Sequence, residues 1–241
     1  MTNFSINLNK IALLRNSRGR DYPNILDFAE KACTFGVQGI TIHPRPDERH
    51  ITIQDAVDLG LFLSQRDGVE LNIEGYPSEE FLRLIEMIKP DQCTLVPDSP
   101  NQLTSDHGWD LDRDGFFIRE VMARLKPSGV RRAIFLDPDV EQVDLASKID
   151  IDRVEFYTEP YALAFGTDRQ NEVLSLYKQV ITLAEVHGIG VNAGHDLDLN
   201  NLSLLLKNSN VLEVSIGHAL VVESIEYGMK NVVDRYLSIC S

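Results

Sequence analysis

The chain has 241 residues, 43% of them hydrophobic and 25% charged, which suits a globular protein with a sizeable core in one large domain or two small ones. Its formal net charge of −14 argues against nucleic acid or an anionic membrane as a partner. No apolar run reaches the roughly 18 residues of a membrane span, and Met1–Phe4 lead straight into a strand rather than a leader. Cys33, Cys93 and Cys240 form neither a disulfide framework nor a metal pair, so a reducing, cytoplasmic setting is expected.

In chain order, the first predicted strand covers Ser5–Asn9. The first twenty residues hold Lys10, Arg15, Arg18 and Arg20 but no acid. In an acidic protein, such a segment points to an anionic ligand. A helix containing Ile25–Ala29 and Phe35 ends at Gly36, and the β-branched run Gly39–His43 forms the second strand. The loop that follows, Pro44-Arg45-Pro46-Asp47-Glu48-Arg49-His50, is dense in acid, base and guanidinium groups and is stiffened by two prolines. Thr52 or its neighbours open the next amphipathic helix.

The third strand, Glu70–Glu74, alternates Glu70, Asn72 and Glu74 against Leu71 and Ile73. Ser78-Glu79-Glu80 start a helix that Lys89-Pro90 stops. Further strands are expected at Gln92–Pro97, Arg132–Asp137, Arg153–Thr158, Gly190–Ala193 and Glu213–Gly217, with Gly129 and Gly188 ending two intervening helices. Asn101–Trp109 reads as a long polar loop, a lid candidate on length and polarity.

Eight strands, each followed by a helix, predict a single-domain (β/α)8 TIM barrel over residues 1–241. The competing doubly wound sheet calls for a glycine-rich turn after the first strand, where this chain has Asn7-Leu8-Asn9-Lys10. In such a barrel the catalytic face is the C-terminal rim of the strands. His43, His195 and His218, three of the six histidines, fall at that rim, and His50 lies in the loop after the second strand.

His43 is a candidate acid or base, because imidazole titrates near neutral pH. Arg45 and His50 suit a phosphate or carboxylate, whereas Arg49 more readily joins a surface ladder with Asp47 and Glu48. Glu74 and Glu155 point inward at the rim, where lost solvation raises the proton affinity of a carboxylate. An ion pair between Glu74 and Arg45 is the structural alternative. Asn192-Ala193-Gly194-His195 and Ile216-Gly217-His218-Ala219 close the last two strands, where barrels of this kind often hold phosphate. His195 could equally be a core histidine bonded to a carbonyl. The first strand carries no His-x-His pair, so no metal is expected.

Taken together, these segments resemble the pyridoxine 5′-phosphate synthase family. The likeness is carried by Asn7-Leu8-Asn9 with Leu14–Gly19, by Gly39–Arg45 with Arg49-His50-Ile51, and by Asn72-Ile73-Glu74. It continues through Leu95-Val96-Pro97 with Thr104, Glu155 with Tyr161-Ala162, Val191–His195 and Ile216–Ala219. The resemblance implies a cofactor-independent barrel enzyme that condenses 1-deoxy-D-xylulose 5-phosphate with 3-amino-2-oxopropyl phosphate. His43 and Glu74 would accept protons, His195 would donate one, and Glu155 would stabilise a charged transition state. Asn7, Arg18, Arg45, His50, Thr104, Gly217 and His218 would bind the phosphorylated substrates. Asn9, Lys10 and Asp196 belong to the same binding set, although many relatives have Asp-His at the first two positions and Gly at the third. The family assembles as an octamer, so a homo-oligomer is implied, with Arg18 reaching a neighbour's site.

Two other readings stay open from sequence. One is another phosphosugar enzyme, an epimerase or aldolase; a Schiff-base aldolase needs a lysine inside the barrel, and no predicted strand carries one. The other is a non-catalytic barrel that binds a phosphorylated ligand.

Overall fold

A computed structural model describes residues 1–98 and 105–241. Among these residues, eight strands close into a parallel barrel in sequence order: β1 (Asn3–Asn7), β2 (Gly39–Ile42), β3 (Glu70–Gly75), β4 (Gln92–Leu95), β5 (Arg131–Leu136), β6 (Arg153–Tyr157), β7 (Gly190–Gly194) and β8 (Glu213–Ile216). β1 pairs with both β2 and β8, which leaves no free edge. After β1 come α1 (Asn9–Asn16) and α2 (Ile25–Phe35), after β2 comes α3 (Ile53–Leu63), after β3 α4 (Glu79–Ile88) and after β4 α5 (Leu111–Leu125). β5 is followed by α6 (Val140–Ala146), β6 by α7 (Glu159–Ala164) and α8 (Gln170–Val186), β7 by α9 (Leu202–Asn208), and β8 by α10 (His218–Tyr227) and α11 (Met229–Cys240). No described helix is long and apolar enough to cross a membrane.

The chain is thus a single-domain (β/α)8 TIM barrel, with three departures from one helix per strand. The loops after β1, β6 and β8 each carry two helices. The first strand also ends earlier than its sequence suggests. Leu8 already has helical backbone angles (φ −88°, ψ 0°), so Asn7 closes β1 and Asn9 begins α1.

Local signals set the other boundaries. Thr52 and Asp55 cap α3 reciprocally, each side chain taking the other's backbone N–H. Ser78 accepts from Phe81 N at the start of α4. At the far ends, Gly36 closes α2 with φ +90° and Lys89 closes α4 with φ +53°.

Strand alternation divides the interior into two chemistries. Phe4, Ile6, Ile40, Ile42, Ile73 and Leu95 point outward, are buried, and pack against the helices to form the apolar core. Full burial of each such side chain contributes about 1.5–3 kcal/mol. The inward positions are polar. Arg131 Nε donates to Gln92 Oε1 at 3.0 Å and its guanidinium pairs with Glu70. Arg153 donates to Asn192 Oδ1 at 2.9 Å and lies 3.7 Å from Glu213, while Asn192 reaches Gln92 at 3.3 Å. The barrel is therefore filled by paired charges and amides near the N-terminal ends of its strands, and it opens onto the site at the other end.

Candidate active site

His43 follows β2 directly. Its backbone N–H donates to Asn9 Oδ1 at 2.9 Å, and Asn9's own N–H donates to Asn7 Oδ1 at 2.9 Å. The two asparagines thus act partly as a backbone clamp between α1 and the rim. α1 holds the far end of the same loop as well. Asn16 Nδ2 donates to the carbonyls of Glu48, Arg49 and His50 at 3.2, 3.1 and 2.8 Å. Arg15 bridges Asp55 (2.5 and 2.7 Å) and the His50 carbonyl (3.3 Å). The loop between His43 and Thr52 is therefore pinned at both ends by one short helix.

Burial lowers His43 well below its ordinary pKa, and the neighbouring charges of Arg45, His50, His195 and Arg49 push it the same way. His50 lies edge-on to it, ring centroids 6.0 Å apart, and is lowered to about 4 by burial and then by Arg45 and Arg49. Its Nδ1 accepts from Ile51 N at 2.9 Å, leaving Nε2 for a ligand. Both imidazoles are neutral at pH 7 and act as acceptors or neutral N–H donors. Arg49 pairs with Asp47 at 2.6 Å, the surface ladder expected for it.

Arg45 departs from expectation. It does not pair with Glu74; its Nη1 lies 2.7 Å from Asp98 Oδ2, with both side chains almost wholly buried. Ser105 Oγ donates to the same oxygen at 2.9 Å. Glu74, near the end of β3, has no ion pair among the described residues. Burial raises its carboxyl well above the usual range, and the charges of Glu155, Asp98 and Glu213 add to that. Glu155 on β6 rises to about 8, first from burial and then from Glu213. Gly194 makes room for it, since a Cβ there would sit 2.5 Å from Glu155 Oε1. A side chain at 194 would therefore crowd that carboxyl, whose end would have to shift.

His195 lies just past β7 with φ +81°, followed by Asp196 at φ +57°. Two successive left-handed residues without glycine store backbone strain. Thr158 Oγ1 holds the turn by donating to the carbonyls of Gly194 and His195. The imidazole packs on Phe135 (4.9 Å) and edge-on to Tyr157 (5.5 Å). Burial lowers its pKa, opposed by the charges of Asp196 and Asp98. Position 196 demands a positive φ, which glycine adopts without strain and Asp tolerates better than most residues.

Gly217 precedes α10 and lies against Asn7, where a Cβ would approach Asn7 Cβ to 3.1 Å. His218 is the first, exposed residue of this ten-residue helix, which has no acid in its first turn. Asn7, Gly217 and His218 thus meet where backbone N–H groups are free to face an anion. Lys10 is exposed on α1, and its charge acts on His50. Arg18 is exposed on the turn after α1 and makes no ion pair among the described residues, so the structure does not bring it to the other site groups. Thr104 and the lid candidate's residues 101–104 lie outside the described residues. The rest of that loop packs down, with Trp109 Nε1 donating to Leu95 O at 2.9 Å.

The charges of these groups act on one another across the C-terminal rim. His43 feels His195, Glu74 feels Glu155, and Asp98 acts on both Glu74 and His195. A cavity of about 600 Å³ is lined by His43, Arg45, Tyr76, Phe81 and Asp98 among others, and Glu74, Glu155 and His195 are not among its lining residues. Among the described strand residues none is a lysine, so no amine stands inside the barrel for a Schiff base. Sequence reading gave no role to Asp98 or Glu213. Strand alternation signals Glu213, which faces inward beside Ser215 on β8; Asp98 lies beyond β4, where no periodicity applies.

Comparison with known proteins agrees with this geometry. A family model described as "Pyridoxal phosphate biosynthesis protein PdxJ" matches residues 4–241. The chain is 48% identical to the pyridoxine 5′-phosphate synthase of Cytophaga hutchinsonii over 238 residues, 98% of each chain. It is 46% identical to that of Bacteroides fragilis over 237 residues, again 98% of each. Among solved structures, phosphoribosyl anthranilate isomerase from Thermus thermophilus superposes with a TM-score of 0.63 at 13% identity, covering 99% of this chain and all (100%) of that one, a likeness of fold alone.

Proposed function

This chain belongs to the pyridoxine 5′-phosphate synthase family, and from that premise we propose that it condenses 1-deoxy-D-xylulose 5-phosphate with 3-amino-2-oxopropyl phosphate into pyridoxine 5′-phosphate, phosphate and water. The observation that carries the reading is the gathering of buried His43, Glu74 and Glu155 with the partly buried His195 at one rim. Imine formation, enolisation, loss of phosphate and ring closure are successive proton transfers and dehydrations. They need acids and bases whose proton affinities lie near neutral, and no redox group.

In this scheme His43 and Glu74 accept protons. A carboxyl raised by burial is a stronger base once ionised than a solvated one. His195 donates, helped by two phosphate dianions that oppose the effect of burial and raise the imidazole on binding. Glu155 stabilises the cationic stage. Asn7, Gly217 and His218 cradle one phosphate at the start of α10, and Asn9, Lys10, Arg45, His50 and Thr104 serve the other substrate. Asp196 keeps the strained turn that presents His195. Arg18, exposed in one chain, serves a neighbour's site in a cytoplasmic homo-octamer. Mixing the purified protein with both substrates should give the product's ultraviolet absorption and one released phosphate per turnover; neither signal appearing would overturn the reading.

A further inference from the structure

Arg45 and Asp98 pose a problem for a simple phosphate clamp. The pair is formed at 2.7 Å inside the protein, and it lines the cavity beside His43. A guanidinium already neutralised by a carboxylate offers a dianion little net attraction, and the carboxylate itself repels it. Asp98 uses only one of its oxygens. Oδ2 takes both Arg45 and the Ser105 hydroxyl, while Oδ1 is buried with no hydrogen-bond partner, on a residue only 4% exposed. An ionised carboxylate oxygen left dry and unpaired is costly, so its place is set for a donor that arrives with a ligand.

Resting on the function proposed above, we propose that Asp98 is a substrate-binding residue whose Oδ1 accepts a hydrogen bond from a hydroxyl of the ketose phosphate while Arg45 donates to a neighbouring oxygen of the same sugar. Together they offer one acceptor and one cluster of donors side by side, the pattern that matches a hydroxyl beside a second oxygen. Of the two substrates, 1-deoxy-D-xylulose 5-phosphate carries hydroxyls on adjacent carbons, whereas the one donor of 3-amino-2-oxopropyl phosphate is the amine that must stay free to form the imine. The pair therefore selects the sugar, and the grip on its phosphate falls to the other groups of that half of the site, such as Lys10 and His50.

The test is calorimetric binding of each substrate singly, with inorganic phosphate as a third probe. In Asp98→Asn the acceptor charge is lost, and with it the ion pair to Arg45. Affinity for the ketose phosphate should fall by roughly tenfold or more, the loss expected for a hydrogen bond to a charged group. Affinity for the amino ketone phosphate should stay within about twofold, and inorganic phosphate should bind more tightly; a merely structural role for Asp98 would move all three the same way. Equal loss for both substrates, or wild-type affinity for the ketose phosphate, would overturn the inference. Should Asp98→Asn not fold, wild-type protein can be titrated with ketose phosphates lacking one hydroxyl at a time: a roughly tenfold loss for one of them supports the inference, and parent-like binding of all overturns it. Turnover by the wild-type protein tests the function separately, so failure of one reading is distinguishable from failure of the other.

Discussion

Two layers of buried polar side chains share the inside of this barrel and differ in how their charges are met. Towards the N-terminal ends of the strands, Arg131 faces Glu70 and Gln92, and Arg153 faces Glu213 and Asn192. At the C-terminal rim, Glu74 and Glu155 have no cation against them among the described residues; burial and the charge of Glu213 raise both, and Glu155 raises Glu74 further. Glu213 joins the layers. Burial pushes its carboxyl to about 7 even beside Arg153, and its charge acts upward on both rim acids. Both layers are costly to bury, but only the lower one offsets that cost within the fold. Acids left without partners after folding are the ones available for chemistry.

Replacement in each layer sharpens the contrast. Glu74→Gln should lower turnover by about 10³-fold, within the range of a lost acid–base group, with substrate affinity nearly unchanged. Its melting temperature should hold or rise, because a desolvated acid has been removed; a folded variant with wild-type turnover would remove Glu74 from the mechanism. Arg153→Met should do the opposite. It leaves Glu213 without its cation, and because that carboxyl already takes a proton readily, the expected cost is about 2–3 kcal/mol of stability rather than the full penalty of a broken buried pair. Thermal melts should show the loss, and turnover per folded enzyme should stay within a few-fold.

A titration probes the rim more finely. In the folded protein Glu155 keeps its proton up to about pH 8, whereas in the unfolded chain it loses it near the usual 4.5. Folding therefore takes up a proton between those values, and stability falls as pH rises through that window, by about 1.4 kcal/mol per unit at most. Glu155→Gln should flatten this decline in melts between pH 5 and 8; an unchanged slope would place the proton elsewhere. The smallest effect is expected at Asp196→Gly, which relaxes a left-handed residue at φ +57° and should raise stability by up to about 1 kcal/mol, or some 2–4 °C. The same change removes a charge that supports His195, so that imidazole should become harder to protonate.

The fold was legible wherever a residue's neighbours along the chain decide its state. Alternation in Glu70–Glu74 placed Glu74 inward, and the Thr52, Ser78 and Gly36 signals fell at helix ends. The rim histidines and acids could be named because strand ends are local features. What depends on contacts across the barrel could not be read. Arg45 was expected on a phosphate or on Glu74, and its partner Asp98 lies 53 residues away beyond β4. Nor could sequence show that Gly194 lies against the Glu155 carboxyl of the adjacent strand, which a Cβ there would crowd. α1 was missed as a helix because its weak amphipathicity gives no clear stripe, although Arg15 and Asn16 on it organise the His50 loop.

Infrared spectroscopy of the resting protein bears most directly on the rim acids. At pH 7 the wild type should show the carbonyl stretch of a protonated carboxyl, lost above about pH 8 and diminished in Glu155→Gln. A spectrum at pH 7 with every carboxyl ionised would mean that the rim acids are solvated or paired like those beneath them, and would contradict the contrast between the two layers.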